Sequence, residues 1–468
     1  MIKGFFWRLW GMTCAIHLIM SMDVAIESSQ SAYAQRALEE RSDRDRTSTR
    51  WETLKSKAIE RSSLLQARRA FVTAKRAEIE AVDRWPDPKL SYRYSPHPIE
   101  TKAGPLIHSM MISQRLTWPA ELDHTVKIAE LKFAEAEHSV TEAELMFIES
   151  IEQSMWSLWF IESHREILKS ELSTLEQLVD HITGLVEAQP HILSSLSKAR
   201  YEFRLKQERL DQTLAEMKSS RLNLGLLLEG KGSFEAQPPS DLIDPILSLC
   251  DQPQTLEKVL EVSSHQVEEN KIPRLERASL MVQQTVSSLE RLRIRQRPQI
   301  ELGIQWSVID NLGLLGQLKD DVFTAQIGGS FPIWGTADRA ARSSLISERD
   351  QKEFERREQS ERWRSELEDQ RIKILERSRQ IEIIKNELSP LANEVLKQKQ
   401  REYEAGLVDL GELYRARLVL LGLKRDFLLG QRSCATSLSH WRSLTNSALT
   451  PLFNDHIKGS HRPQEHAQ

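Results

Sequence analysis

The chain has 468 residues, with 64 basic against 68 acidic side chains for a formal net charge of −4, 40 % hydrophobic and 28 % charged residues, and only 18 Gly and 17 Pro. That composition excludes a collagen-like or Gly/Pro-rich unfolded chain, and the near balance of charge argues against a duplex nucleic-acid binder. A mean hydropathy of −0.46 excludes a bundle of transmembrane helices, and three cysteines are too few for a disulfide scaffold.

Residues 1–34 have the layout of a signal peptide. Lys3 and Arg8 supply a positive start, an apolar stretch covers about 9–22, and Ala32-Tyr33-Ala34 offers a small-x-small cleavage site. An N-terminal membrane anchor is the alternative. Cys14 precedes most of the apolar run, and Gly11 stands where a lipoprotein signal places Leu, so Cys14 does not read as a lipid-attachment cysteine. Export is expected, with a mature chain from about Gln35 and a polar N-terminal segment over 35–50. In an oxidising compartment Cys250 and Cys434 could pair; spacing alone does not decide it.

Very long helices dominate the body. Residues 120–183 contain no Gly or Pro, and neither do 336–389. At ~1.5 Å per residue these are rods of roughly 80–100 Å, far beyond the usual ~11–12-residue helix. In the first, Leu122, Val126, Ala129, Phe133, Ala136, Val140, Ala143, Phe147, Ile151, Leu158 and Ile161 follow helical spacing and predict a coiled-coil-like seam. The second is more charged. Leu345, Phe354, Leu367, Ile374, Ile381 and Leu388 make a narrow stripe, so much of that rod is expected to face water or a polar lumen. Shorter helices are predicted over 51–84, 192–228, 255–295 and 408–444. The proline-rich stretch 231–254 reads as a linker.

The chain repeats itself. Leu116-Thr117-Trp118-Pro119-Ala120 corresponds to Phe331-Pro332-Ile333-Trp334-Gly335. Leu193, Leu196 and Ala199 correspond to Leu410, Leu413 and Ala416, and Gly230 to Asn446. Near-constant offsets over a hundred residues imply a tandem duplication: first repeat 51–230, linker 231–254, second repeat 255–447, tail 448–468.

Each repeat carries a pair of strand-like segments. In 299–308, Ile300, Leu302, Ile304, Trp306 and Val308 alternate with Gln299, Glu301, Gly303, Gln305 and Ser307. In 322–331, Phe323, Ala325, Ile327 and Phe331 alternate with Thr324, Gln326 and Ser330. Leu90, Tyr92 and Tyr94, then Met110, Ile112, Gln114 and Leu116, repeat the pattern more faintly near 88–94 and 107–116. One apolar and one polar side over ~10 residues fits a transmembrane β-strand, with Ile300, Leu302, Ile304, Trp306, Phe323 and Ile327 on the lipid face. Trp85, Trp118 and Trp334 stand at strand-to-helix junctions, where membrane-interface aromatics belong. Four strands cannot close a barrel alone, and open edges are intolerable in hydrocarbon, so closure requires several copies. The competing reading is a soluble four-stranded sheet capping a helical bundle.

Taken together, these features resemble the TolC-like outer-membrane efflux proteins over about 51–447. Pro86-Asp87-Pro88-Lys89-Leu90 is similar to the family's entry into its first strand. Ile112-Ser113-Gln114-Arg115-Leu116-Thr117-Trp118-Pro119 resembles its exit into the long helix, and Gly329-Ser330-Phe331-Pro332-Ile333-Trp334 the second copy. Tyr403-Glu404-Ala405-Gly406-Leu407-Val408-Asp409-Leu410 resembles its helix-tip turn. The Trp-Pro exit is most similar to the heavy-metal branch. Departures are Ala120 in place of a frequent Gly, Gln189-Pro190 in place of a glycine turn at the first tip, and the missing lipid-attachment cysteine.

The resemblance implies a mainly α chain with a small β part: a duplicated long-helix coiled-coil tunnel plus four strands per chain contributing to a trimeric transmembrane β-barrel. It implies an outer-membrane exit duct of a Gram-negative bacterium, with helices projecting into the periplasm, no cofactor and no catalysis. The implied partners are two further copies, outer-membrane lipid, a periplasmic adaptor protein and an inner-membrane efflux pump of the proton-driven RND type. The adaptor would meet the helix tips at Gln189, Pro190, Gly406 and Leu407. Asp409, with Glu404, is read both as a helix cap and as part of an acidic ring at the periplasmic aperture. No phosphate-cradling loop, metal-ligand spacing or nucleophile elbow is present; His456, His461 and His466 read as a solvated tail. A periplasmic coiled-coil adaptor or rod, and an envelope hydrolase with a helical lid, are the competing classes. The first lacks a lipoyl-like β-domain and the second a nucleophile or metal constellation.

Overall fold

The computed structural model describes residues 50–101, 104–186, 193–229, 232–235, 237–309, 321–331 and 335–446. The signal peptide, the tip at Gln189-Pro190, Trp334, Gly230 and the tail histidines lie outside these residues.

The first long run is one helix, α3 (Pro119–Val186, 68 residues), roughly 100 Å long. Pro119 sits at its first position, where a missing N–H costs nothing. Before it come α1 (Arg50–Arg61), α2 (Ser63–Val82), β1 (Lys89–Thr101) and β2 (Gly104–Leu116), and after it α4 (Leu193–Glu229). The second repeat has α6 (Pro253–Gln266), α7 (Pro273–Arg295), β3 (Gln299–Ile309), β4 (Val322–Ser330), α8 (Gly335–Ile383), α9 (Ser389–Glu404) and α10 (Leu410–Thr445). Helices α8 and α10 begin 216 and 217 residues after α3 and α4, the spacing that a tandem duplication of this length would produce.

Four local differences from the sequence reading have identifiable causes. The helix expected over 51–84 breaks at Ser62, whose Oγ accepts from the Leu65 N–H and starts α2. The helix expected over 255–295 is split before Pro273, which cannot supply a helical N–H to the preceding turn. The second rod continues past 389 to Glu404, through a π-turn (Ile384–Leu388) one turn ahead of Pro390. That wider turn absorbs the carbonyl that proline leaves unbonded. The segment between the repeats contains a further helix, α5 (Ser240–Cys250), which buries Leu242, Ile243, Ile246 and Leu249.

The main core is a belt around the middle of the rods. It takes Phe147, Ile151, Met155, Trp156 and Leu158 from α3, Ile374 and Ile381 from α8, and Cys434, Leu438 and Trp441 from α10. The α1, α4, α5 and α6 helices close over it with Trp51, Leu224, Ile246 and Leu260 among others. Chain leaving α4 folds back because Gly225 lets it: a Cβ there would stand 2.5 Å from the Gly232 carbonyl oxygen, and Phe234 is buried just beyond. Toward the tips a smaller cluster of Leu175, Leu178 and Ala199 joins α3 to α4, with Leu418 and Tyr414 of α10 against it. The predicted seam holds in α3, where Ala129, Ala136, Phe147, Ile151 and Leu158 are buried. In the second rod, Ile374 and Ile381 are buried, but Phe354 and, in the π-turn, Leu388 are exposed; Trp363 is the buried aromatic, its Nε1–H donating to the Leu444 carbonyl at 3.0 Å.

Cys250 and Cys434 are joined in a disulfide, Cα to Cα 6.2 Å, fastening the end of α5 to α10. Asp251 next to it takes hydrogen bonds from Lys385 of the π-turn (2.8 Å) and Gln431 of α10 (3.1 Å).

Charged groups bridge the rods beside the belt. His440 contacts Glu149 of α3 at 2.7 Å through Nδ1 and Glu366 of α8 at 3.1 Å through Nε2. Arg274 also meets Glu366, at 3.5 Å, and Arg442 pairs with Glu152 at 2.9 Å. The hydrogen bond to Glu149, reinforced by Glu366, raises the His440 pKa above its ordinary value despite burial. A histidine whose folded pKa is raised contributes stability that is complete below the unfolded value of ~6.5 and is lost as pH rises through the folded value. The thermal midpoint gap between the wild type and His440→Gln is therefore expected to be wider at pH 6 than at pH 9. A gap independent of pH would show that the imidazolium is not what holds the three helices.

Candidate functional site

The four strands form one antiparallel sheet in the order β1-β2-β3-β4. β1 and β2 run longer than predicted, as a hairpin whose far end passes the last residue of β3, since Leu106 pairs with Ile309. The β1/β2 register shifts between Tyr94 and Ile99, across Pro96 and Pro98, which have no N–H to give to a ladder.

On the apolar face the register stacks like with like. Tyr92, Met110, Trp306 and Phe323 form one row across the sheet, and Leu90, Ile112, Ile304 and Ala325 the next. On the other face, Arg93, Ser109, Ser307 and Val322 align, as do Ser91, Met111, Gln305 and Thr324. Polar groups there bond one another: Ser113 Oγ donates to Glu301 Oε1 at 2.7 Å, and Gln305 Nε2 to Ser307 Oγ at 3.0 Å.

Exposure is the reverse of a water-soluble sheet. Ile304, Phe323 and Ile327 are 65 %, 73 % and 81 % exposed, whereas Ser113 and Ser307 are only 4 % and 3 % exposed. Ile300, Leu302 and Trp306 also face outward. A sheet resting on a protein core would cover its apolar face and wet its polar one. On the two central strands, β2 and β3, the covered face is polar and the bare face is apolar, the arrangement that suits an apolar medium, while β1 and β4 are exposed on both faces. Among the described residues, neither edge strand, β1 or β4, has a neighbour on its outer side. No helix among the described residues is long and apolar enough to cross a membrane.

At the base of the sheet, Trp118 Nε1–H donates to the Pro298 carbonyl at 2.9 Å, tying the start of α3 to the start of β3. Trp85 is about half exposed. Trp306 Nε1–H reaches Asp321 Oδ2 at 3.0 Å. Trp306 thus turns its ring outward with its polar atom bonded, whereas Trp118 is half-buried.

The described helix tip lies at the opposite end of the rods. α9 ends in a Schellman turn: Leu407 N–H donates to the Glu402 carbonyl (2.8 Å) and Gly406 N–H to the Tyr403 carbonyl (2.9 Å). Gly406 has φ +70°, the left-handed value this turn requires. Leu407, which in such turns often packs back on the helix, is 75 % exposed instead. Asp409 is the N-cap of α10, its Oδ1 accepting from the Glu412 N–H at 2.8 Å. Glu404 receives only a 3.4 Å bond from Gln400 Nε2. The two carboxylates thus bracket one exposed turn without bonding each other. Asp409→Ala is expected to cost ~0.5–2 kcal/mol through loss of the cap, read as a lower unfolding midpoint. Asp409→Asn, which keeps an accepting oxygen, should restore most of it.

Sequence reasoning did not single out Tyr414, whose hydroxyl donates to Gln177 Oε1 at 3.4 Å and links α10 to α3 near the tip. Its position four residues after Leu410 on the inner face of α10 is the only sequence signal for it. Among the described residues, no group of three or more His, Cys, Asp or Glu side chains is placed to hold a metal ion.

No protein-family model matches the sequence, and no curated protein matches it. Solved structures do match. The CusC structures, concerned with folding and transmembrane channel formation, share 14 % identity at a TM-score of 0.65, over 84 % of this chain and 91 % of that one. The open-state MtrE outer-membrane channel of Neisseria gonorrhoeae shares 14 % identity at 0.64, over 85 % and 89 %. The outer-membrane protein VceC of Vibrio cholerae shares 13 % identity at 0.66, over 85 % and 96 %. Across nearly its whole described length, the chain has the fold of the TolC-like outer-membrane channels.

Proposed function

We propose that the protein is the outer-membrane exit duct of a tripartite export system, a passive channel through which solute moves without covalent chemistry. The observation that carries this reading is the sheet of inverted polarity with two open edges, mounted on rods roughly 100 Å long. An apolar face of four strands finds its solvent in a bilayer, and its open edges find partners in other copies of the same sheet. Three copies give twelve strands, with the serine- and glutamine-rich face lining the lumen and the helices forming a tunnel on the periplasmic side.

The exposed turn at Gly406 and Leu407 would then be the distal end of the tunnel, where an adaptor protein docks. Asp409 and Glu404 from each copy would set an acidic ring there, in addition to the capping role of Asp409. Energy for export would come from an inner-membrane pump, since nothing in a duct of this kind consumes fuel. The likeness to CusC and MtrE supports this assignment at the level of fold.

The mature chain should need detergent to stay in solution and give a mass of three copies by native mass spectrometry. A monomer soluble without detergent would favour the periplasmic rod.

A further inference from the structure

Where α7 rises into β3 and α8 descends from β4, the two helices enclose a groove of about 200 Å³. Arg293, Arg342 and Arg349 line it, together with Gln296 and one carboxylate, Glu290. Arg349 is engaged by Asp350 at 2.6 Å, and Arg293 stands 3.8 Å from Glu290. Arg342 is exposed and has no acidic partner among the described residues, and the same holds for Arg295 and Arg297 at the end of α7. Over 290–297 and 338–350 there are seven arginines against the four carboxylates of Glu290, Asp338, Glu348 and Asp350. The groove is therefore electropositive, roomy enough for a phosphate group, and furnished in Arg342 with an unengaged planar fork that matches phosphate oxygens two at a time.

Its height on the molecule narrows the ligand. Arg293 comes six residues before β3 and Arg342 seven residues after the start of α8. At ~1.5 Å per residue Arg293 lies about 10 Å from the edge of the apolar band that begins at Ile300, and Arg342 lines the same groove. A headgroup layer is ~5–8 Å thick on each side of a bilayer, and an arginine stem covers the remaining distance while its head stays in the polar layer.

We propose that this groove binds the phosphate of an anionic phospholipid headgroup in the periplasmic leaflet. The proposal rests on the membrane-embedded reading of the sheet. The bound headgroup bridges α7 and α8 directly below the strands they serve, neutralising guanidiniums that otherwise repel across the groove. Juxtamembrane arginines gain about five-fold in affinity each from an anionic surface, so removing two should cost ~30-fold.

The test titrates phosphatidylglycerol and phosphatidylcholine onto the detergent-purified assembly and counts bound lipid by native mass spectrometry. It compares the wild type, Arg293→Gln/Arg342→Gln, and a control of equal charge loss farther down α8, Arg357→Gln/Arg362→Gln. Phosphatidylglycerol affinity is expected to fall ~30-fold in the groove variant only, phosphatidylcholine to be unchanged, and millimolar inorganic phosphate not to displace the lipid. Equal losses in both variants would overturn the proposal, as would complete displacement by inorganic phosphate, which would make this a free-anion site. Assembly is read from the protein masses in the same spectra, and conductance in planar bilayers is measured in parallel. A wild type that neither assembles nor conducts defeats the duct itself; one that does both without selecting the anionic lipid defeats only this inference.

Discussion

Arginine placed at Ile304 is expected to lower the stability of the membrane-inserted sheet by ~2–4 kcal/mol, and arginine at the adjacent Gln305 by far less. The two positions share a strand and differ only in the face they occupy. Ile304 is 65 % exposed on the apolar side, in a row with Leu90, Ile112 and Ala325. Gln305 lies on the polar side, bonded to Ser307, where a lumen would supply water to an added charge. The measurement is denaturant unfolding of liposome-inserted protein. Equal losses at both positions would mean that the apolar face does not meet lipid.

The second large effect concerns the disulfide. Cys434→Ser is expected to destabilise the folded chain by ~2–5 kcal/mol, since the Cys250–Cys434 link closes a loop of 184 residues in the unfolded chain. The native state loses local order as well. The bond fixes the last turn of α5 against α10, and Asp251 beside it carries the hydrogen bonds from Lys385 and Gln431. Comparing oxidised and reduced wild type with Cys434→Ser in denaturant should show the last two alike and both weaker than the first. An unchanged midpoint on reduction would place the stability of the belt in packing alone.

What the sequence disclosed and what it withheld follow the range of the interactions involved. The rods were legible because a run without Gly or Pro at helical spacing has no other economical conformation. The strand faces were legible because alternation over Gln299 to Val308 is a local signal, and on that face Ile300, Leu302, Ile304 and Trp306 are exposed in the folded chain, with Val308 half-buried. The Asp409 cap was legible because the N–H it bonds is only three residues away. The Cys250–Cys434 pair and the His440 bridge to Glu149 and Glu366 were not, because each joins residues distant in sequence through the packing of whole helices. The helix within 240–250 was hidden by Pro245, which alone argues for a break. Its neighbours Leu242, Ile246 and Leu249 recover that cost by burial in the belt. The groove between α7 and α8 was likewise invisible as charge, because its arginines come from segments some fifty residues apart in a chain rich in paired charges.

The central claim is that several copies of this sheet close into a water-filled pore across a bilayer. Single-channel recording of the purified mature protein in planar lipid bilayers tests it most directly. Discrete, ohmic conductance steps are expected from the wild type, reduced in frequency by Ile304→Arg and retained by Gln305→Arg. A preparation that is folded and helical by circular dichroism yet leaves the bilayer non-conducting would contradict the claim.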